Sequence, residues 1–285
     1  MNTILSHNEF VAVAAWTGDK TWTLHTSTGG RNVHVCGVPE VTYVLDGPGQ
    51  GSIYVFKAGN AKRIGDGDGD AVVEPDSAVA AHASRDGDGK GNAVGIAAFG
   101  SSADATRRGS GEGDAVVKGP GKGTALREGD GVGGAIRSGK GNGDAIRMGD
   151  GAGGAIRSGK GIGNAIVVAS SNYKIQRRAL RSGSGRGWAE AKGAGRASAI
   201  RQGKGHGGAY VTGAAIGVAW RRDEGDGDAI NSSTVIGNAI RDGAGDGNAI
   251  RENVGDGDAR RLGSGRGVAE RRGTGTAHTI PDDSF

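Results

Sequence analysis

From residue 61 to residue 269 an alanine returns at ten-residue spacing, inside a frame that reads G-x-G-x-G-x-A-[IVL]-R-x. The cleanest copies begin at Gly129, Gly139, Gly149 and Gly159: GDGVGGAIRS, GKGNGDAIRM, GDGAGGAIRS and GKGIGNAIVV. A repeat this short cannot enclose a core of its own, so its copies must lean on one another, as in a solenoid. The period breaks three times, with gaps of 12, 12 and 14 residues before Ala83, Ala105 and Ala179. All three are even. Side chains alternate faces along a strand, so an even insertion keeps the inward set inward and an odd one would invert it. Helices obey no such parity. The frame therefore predicts an all-β chain, a β-solenoid of ten-residue repeats.

In G-x-G-x-G-x-A the small residues fall on alternate positions. That predicts one face of hydrogens and methyls, with Asp, Lys, Asn, Ser and Arg on the other. A Gly/Ala face implies a thin core, with sheets closer than the usual ~10 Å, as in alternating Gly-Ala silk. A bundle of polyglycine helices wants a three-residue period, which ten does not contain. The alanine and isoleucine of each copy are the expected apolar burial. That burial is too small to offset the ordering of ten residues in a lone copy.

The chain has 60 glycines but only five prolines and no Gly-every-third register, which argues against collagen. Residues 1–60 read as ordinary strand sequence, with Trp16, Trp22, Tyr43, Tyr54 and Phe56 among them, and are expected to form an N-terminal β cap or attachment domain. Residues 61–280 form the repeat region and 281–285 a polar tail. The insertion around 170–183 is expected to be a loop or bulge. One cysteine, Cys36, excludes an internal disulfide framework. MNTILSHNEF has neither a basic leader nor a long apolar run, so no signal peptide or membrane span is expected and synthesis is placed in the cytoplasm. The formal charge of +4 is small beside 35 basic and 31 acidic side chains, and does not by itself point to nucleic acid.

Arginine recurs two residues after the marker alanine. Over 181–241 that slot alternates Arg, Ala, Arg, Val, Arg, Asn, Arg, which predicts two decapeptides per turn. Arg127, Arg137, Arg147, Arg157, Arg241, Arg251, Arg261 and Arg271 are the candidate partner-binding stripe, since stacked guanidiniums bridge phosphates or carboxylates. The competing reading pairs each with an Asp or Glu of a neighbouring copy. Asp130, Lys140, Asp150 and Lys160 alternate in sign along successive copies, which suits cross-strand pairing. Asp or Asn often precedes the alanine, as at Asn92, Asp114 and Asp228, either as turn residues that favour left-handed backbone or bond their own main chain, or as calcium ligands. The pattern is not that of the calcium-binding nonapeptide, and DGDGD at 66–70 lacks the rest of a calcium loop. The six histidines have no ligand spacing, and no nucleophile motif is present, so neither an enzyme nor a cofactor is expected.

On copies such as GNGDAIR, GGAIR and GDGNAIR the chain resembles the Gly-rich short-repeat β-solenoid proteins encoded by bacteriophages and bacteria. It is similar, more faintly, to the head repeats of trimeric adhesins. The resemblance spans residues 61–279 and implies a structural or interaction protein, related to phage, in the host cytoplasm or a virion. Its partner would be a protein or surface. The alternative function is binding of a polyanion, or charge mimicry directed at nucleic acid or a nucleic-acid enzyme.

Overall fold

A computed structural model of the chain describes residues 15–16, 21–25, 32–37, 39–76, 79–169, 176–222, 224–252, 254–273 and 280–281. Among the described residues every regular element is a β-strand, and from Thr21–His25 onward successive strands alternate between two sheets, A and B. The fold is a β-solenoid. Contacts divide it into two compact units, residues 1–143 and 144–285.

In the first unit sheet A takes Ala15–Trp16, Thr21–His25, Thr42–Asp46, Asn60–Ile64, Ala80–Asp86, Ser102–Arg108 and Ala125–Glu128. Sheet B takes Val33–Cys36, Ile53–Lys57, Ala71–Pro75, Ala93–Ile96, Ala115–Lys118 and Ala135–Ser138. Ala15–Trp16 pairs antiparallel with Thr21–His25; from there the pairing is parallel. In the second unit sheet A takes Ala145–Met148, Ala165–Val168, Ala189–Lys192, Ala209–Thr212, Ala229–Ser232, Ala249–Glu252 and Ala269–Arg272. Sheet B takes Gly153–Ser158, Gln176–Ser182, Arg196–Gln202, Ile216–Arg222, Ile236–Asp242, Ala259–Leu262 and Ile280–Pro281, again in parallel.

The register is set by the repeat. Ala105 pairs with Ala125, Ala199 with Ala219 and Arg201 with Arg221, so one turn is two decapeptides. The insertions are absorbed between alanines that stay aligned: Ala83 with Ala105, and Ala155 with Ala179. From Ala71 to Ala259 the marker alanines have no solvent exposure. The two sheets approach closely at the small residues. A Cβ added to Gly95 of sheet B would lie 3.1 Å from Ala103 Cβ of sheet A.

Three expectations are corrected. Arginine lies two residues beyond the alanine, so it shares the alanine's face and points inward; it does not belong to the outer set. The isoleucine, one residue beyond, points outward and is half-buried or exposed, as at Ile136 and Ile156. The interior is therefore alanine and arginine, not alanine and isoleucine. Of the insertion, Gln176–Ser182 is a regular strand of sheet B and not a loop; residues 170–175 lie outside the described residues.

The aromatic N-terminal sequence is already coiled. Thr42–Asp46 stacks in parallel on Thr21–His25 and receives Asn60–Ile64, with Leu24, Tyr43, Leu45, Ile53 and Val55 buried as a conventional apolar core. His34 stacks on Tyr54 at 4.6 Å on the outer side. Residues 1–14 and the tail 282–285 lie outside the described residues.

Candidate functional site

The chemistry of this chain is concentrated where strands give way to G-x-G-x-G. That segment forms an arc whose end glycines take positive φ, 114° at Gly109 and 142° at Gly113, a region that L side chains rarely adopt. Arcs of successive coils stack directly. A Cβ at Gly111 would sit 1.9 Å from the Asp88 carbonyl oxygen, and one at Gly113 would sit 1.9 Å from that of Gly91. Glycine is needed at these positions for both conformation and contact.

The carbonyls of an arc of this kind are satisfied by the arginine. Arg107 donates from Nε to Gly91 at 3.1 Å, from Nη1 to Gly87 at 2.9 Å and from Nη2 to Gly89 at 2.8 Å. It also donates to the carbonyl of Arg108. One guanidinium thus fills the arc of the coil beneath it. Arg85 does the same for Gly67 and Gly69 at 2.7 and 3.0 Å, and Arg201 for Gly185 and Gly187 at 3.1 and 3.2 Å. Guanidinium suits this geometry because it offers five donors in a planar fork and no acceptor.

The outward half of each arc is satisfied differently. Arc glycine N–H groups donate to the carbonyl of an x residue one coil on, as Gly91 does to Glu112 at 2.9 Å. The N–H of an x residue is taken by an Asp or Asn side chain of the coil before. Asp68 Oδ1 accepts from Lys90, Asp88 from Ser110 and Asp114 from Gly134, at 2.7–2.8 Å. The Asp/Asn before the alanine is part of this ladder: Asp70 accepts from Asn92, Asn92 from Asp114, and Asp228 from Asn248. These side chains bond the next coil's main chain, not their own.

Arg127, Arg137, Arg147, Arg157, Arg241 and Arg251 are at most 1 % exposed, and Arg261 and Arg271 are half-buried. The first six do not present a stripe to a partner. Main-chain carbonyls take up their donors: Arg137 donates to Gly119, Gly121 and Ser138, and Arg241 to Gly225, Gly243 and Gly245. Burial lowers the pKa of Arg85, Arg107 and Arg181 to about 10, helped by the arginines on adjoining coils. Even so, each stays charged at neutral pH. The signal that sequence reading missed was parity itself, applied to the alanine but not carried two residues further.

The arginine comes and goes with the arc. In the first unit it stands on sheet A strands, at Arg63, Arg85, Arg107 and Arg127, each one turn after a glycine arc, while sheet B offers Val73, Gly95 and Val117 until Arg137, which lies one turn after arc 119–123. In the second unit, from residue 181, the edges exchange roles: sheet B carries Arg181, Arg201, Arg221 and Arg241, and sheet A offers Ala191, Val211 and Asn231. Asn231 is buried beside a short link and serves it at small scale. Its Nδ2 donates to Gly217 and Asn238 at 2.7 and 2.9 Å, and its Oδ1 accepts from Ser233 at 2.9 Å.

Outside, the solenoid presents rows. Register places Ile156, Leu180, Ile200, Trp220 and Ile240 side by side along sheet B of the second unit. Exposed Arg178, Arg186 and Arg196 lie in the same unit. Ion pairs join side chains about one turn apart, as in Arg108–Glu128 and Lys204–Glu224, both at 2.7 Å. Asp130 and Lys140 are not such neighbours: a ten-residue step puts them on arcs that follow different sheets. In the first unit an open groove of about 450 Å³ lies between Phe99 and Pro120, with Lys122 at its edge. Among the described residues no group of His, Cys, Asp and Glu is placed to hold a metal ion, and no helix is long and apolar enough to cross a membrane.

Comparison with protein-family models, with curated proteins and with solved structures finds no match to this chain.

Proposed function

We propose that the protein is a non-enzymatic structural or interaction protein, phage-related, working as a virion appendage, an adhesin or a host-interaction surface in the host cytoplasm or the virion. One observation carries this reading. The polar chemistry of the repeat is consumed in joining coil to coil, and what remains outside is rows of equivalent side chains in register. The row Ile156, Leu180, Ile200, Trp220 and Ile240 is the surface most suited to a protein partner, being apolar, in register and accompanied by exposed Arg178 and Arg196 on the same sheet. Binding of a polyanion through the arginine slot loses its main support, because phosphate cannot reach a guanidinium already enclosed by glycine carbonyls.

Capture from a bacterial lysate, with and without nuclease, tests the proposal. A protein retained under both conditions, and lost on Ile200→Lys with Ile240→Lys at unchanged melting temperature, is the expected outcome. Affinity for duplex DNA should be negligible at physiological salt. A submicromolar complex with DNA, weakening with a log–log salt slope near −0.9 per phosphate contacted, would overturn the proposal.

A further inference from the structure

Each filled arc receives its guanidinium from the strand one turn later. Arg221 reaches Gly205 at 3.1 Å, Arg241 reaches Gly225 at 2.9 Å and Arg261 reaches Gly247 at 3.2 Å. The next arc in this series is 263–267, Gly-Ser-Gly-Arg-Gly, between Ala259–Leu262 and Ala269–Arg272. It has the geometry of the others. Gly263 and Gly267 have φ of 103° and 146°, and a Cβ at Gly265 would lie 2.1 Å from the Gly245 oxygen, so the arc is stacked on the one below. The residue in register with Arg261 one turn later is Pro281, which has no side-chain donor. Arg261 donates to the Gly263 carbonyl at 3.1 Å, and among the described residues no guanidinium reaches the carbonyls of Gly265 or Gly267. Gly263 and Gly267 are exposed.

We propose that arc 263–267 is a guanidinium-binding site that takes the arginine side chain of a partner polypeptide. The arc lies apart from the outward row of sheet B, so the site stands or falls independently of that surface. Its selectivity follows from the arcs beneath it. Carbonyl oxygens spread around an arc match the diverging donors of a planar fork, whereas an ammonium reaches fewer of them, and a neutral urea group lacks both the charge and part of the donor set.

The test titrates the full chain with acetyl-Gly-Arg-Gly-amide and follows the amide resonances of residues 254–273. Peptides with lysine or citrulline in place of arginine are the controls. The expected result is saturable shifts in the millimolar range centred on Gly263, Gly265 and Gly267, with the citrulline peptide at least about tenfold weaker. Methylguanidinium should compete and methylammonium should not. The Gly265→Val variant should lose binding; because it risks distorting the arc, the competition result carries equal weight. Absence of saturable binding, equal binding of the three peptides, or shifts centred elsewhere would refute the site.

Discussion

An arginine bonded to main-chain carbonyls is an unusual core residue, and here arginine is the largest of the fully buried side chains. It succeeds because glycine arcs supply carbonyl oxygens where a conventional core would supply methyl groups, and an unmade bond to a buried carbonyl costs more than a made one contributes. Arg201→Met should therefore lower unfolding free energy by about 3–5 kcal/mol in chemical denaturation, despite gaining apolar volume. Arg201→Lys should recover less than half of that loss, since a point charge cannot reach Gly185, Gly187 and Gly203 together. Gly205→Ala is the reciprocal test. Its φ of 113° and the Gly185 oxygen 2.4 Å from the new Cβ predict a loss of at least about 2 kcal/mol. The glycines were legible in the sequence as close approaches, but the arginine was read as outward. Charge outside is the usual rule, and here main-chain carbonyls cancel it.

The strand and its arc form one element, and the two halves answer to different constraints. Parity and period made the strands, their twenty-residue turn and the inward alanines legible before any coordinates. Ala199→Phe should abolish local folding while Ser198→Thr, on the outer face, leaves the melting temperature nearly unchanged; equal melting temperatures would contradict the narrow interior. The Asp/Asn ladder was legible only as a preference. Its role depends on which coil supplies the N–H, and a side chain's own sequence neighbourhood does not disclose that. Since Asp228 uses one oxygen to accept from Asn248, Asp228→Asn should be close to neutral and Asp228→Ala should cost about 1–2 kcal/mol by thermal or urea unfolding. The alternation of Asp and Asn along the ladder is what such an arrangement tolerates.

On the scale of the whole molecule, the twenty-residue turn governs what can be added or removed. Deleting Gly203–Arg222 takes out one turn and leaves Arg196–Gln202 to stack on Ile236–Asp242, a strand of the same sheet. The product should fold, with circular dichroism per residue like that of the parent. Deleting Gly203–Thr212 removes ten residues and carries a short link to the edge where Arg221 requires an arc. That product should aggregate or stay unfolded. Most of the arginines should also resist a dicarbonyl reagent in the native state, and exposed Arg178 and Arg196 should react first by mass spectrometry. Function was far less legible than form, because the repeated positions are occupied in holding the coils together, and only the outward rows are free to vary with a partner. The register has a consequence for inheritance as well. Near-identical repeats invite slippage during copying of the gene. A slip of one decapeptide exchanges the two edges for everything downstream, whereas a slip of two leaves every arginine facing an arc. Length in such a gene should drift in steps of sixty nucleotides, each step worth ~4.8 Å of stacked strand.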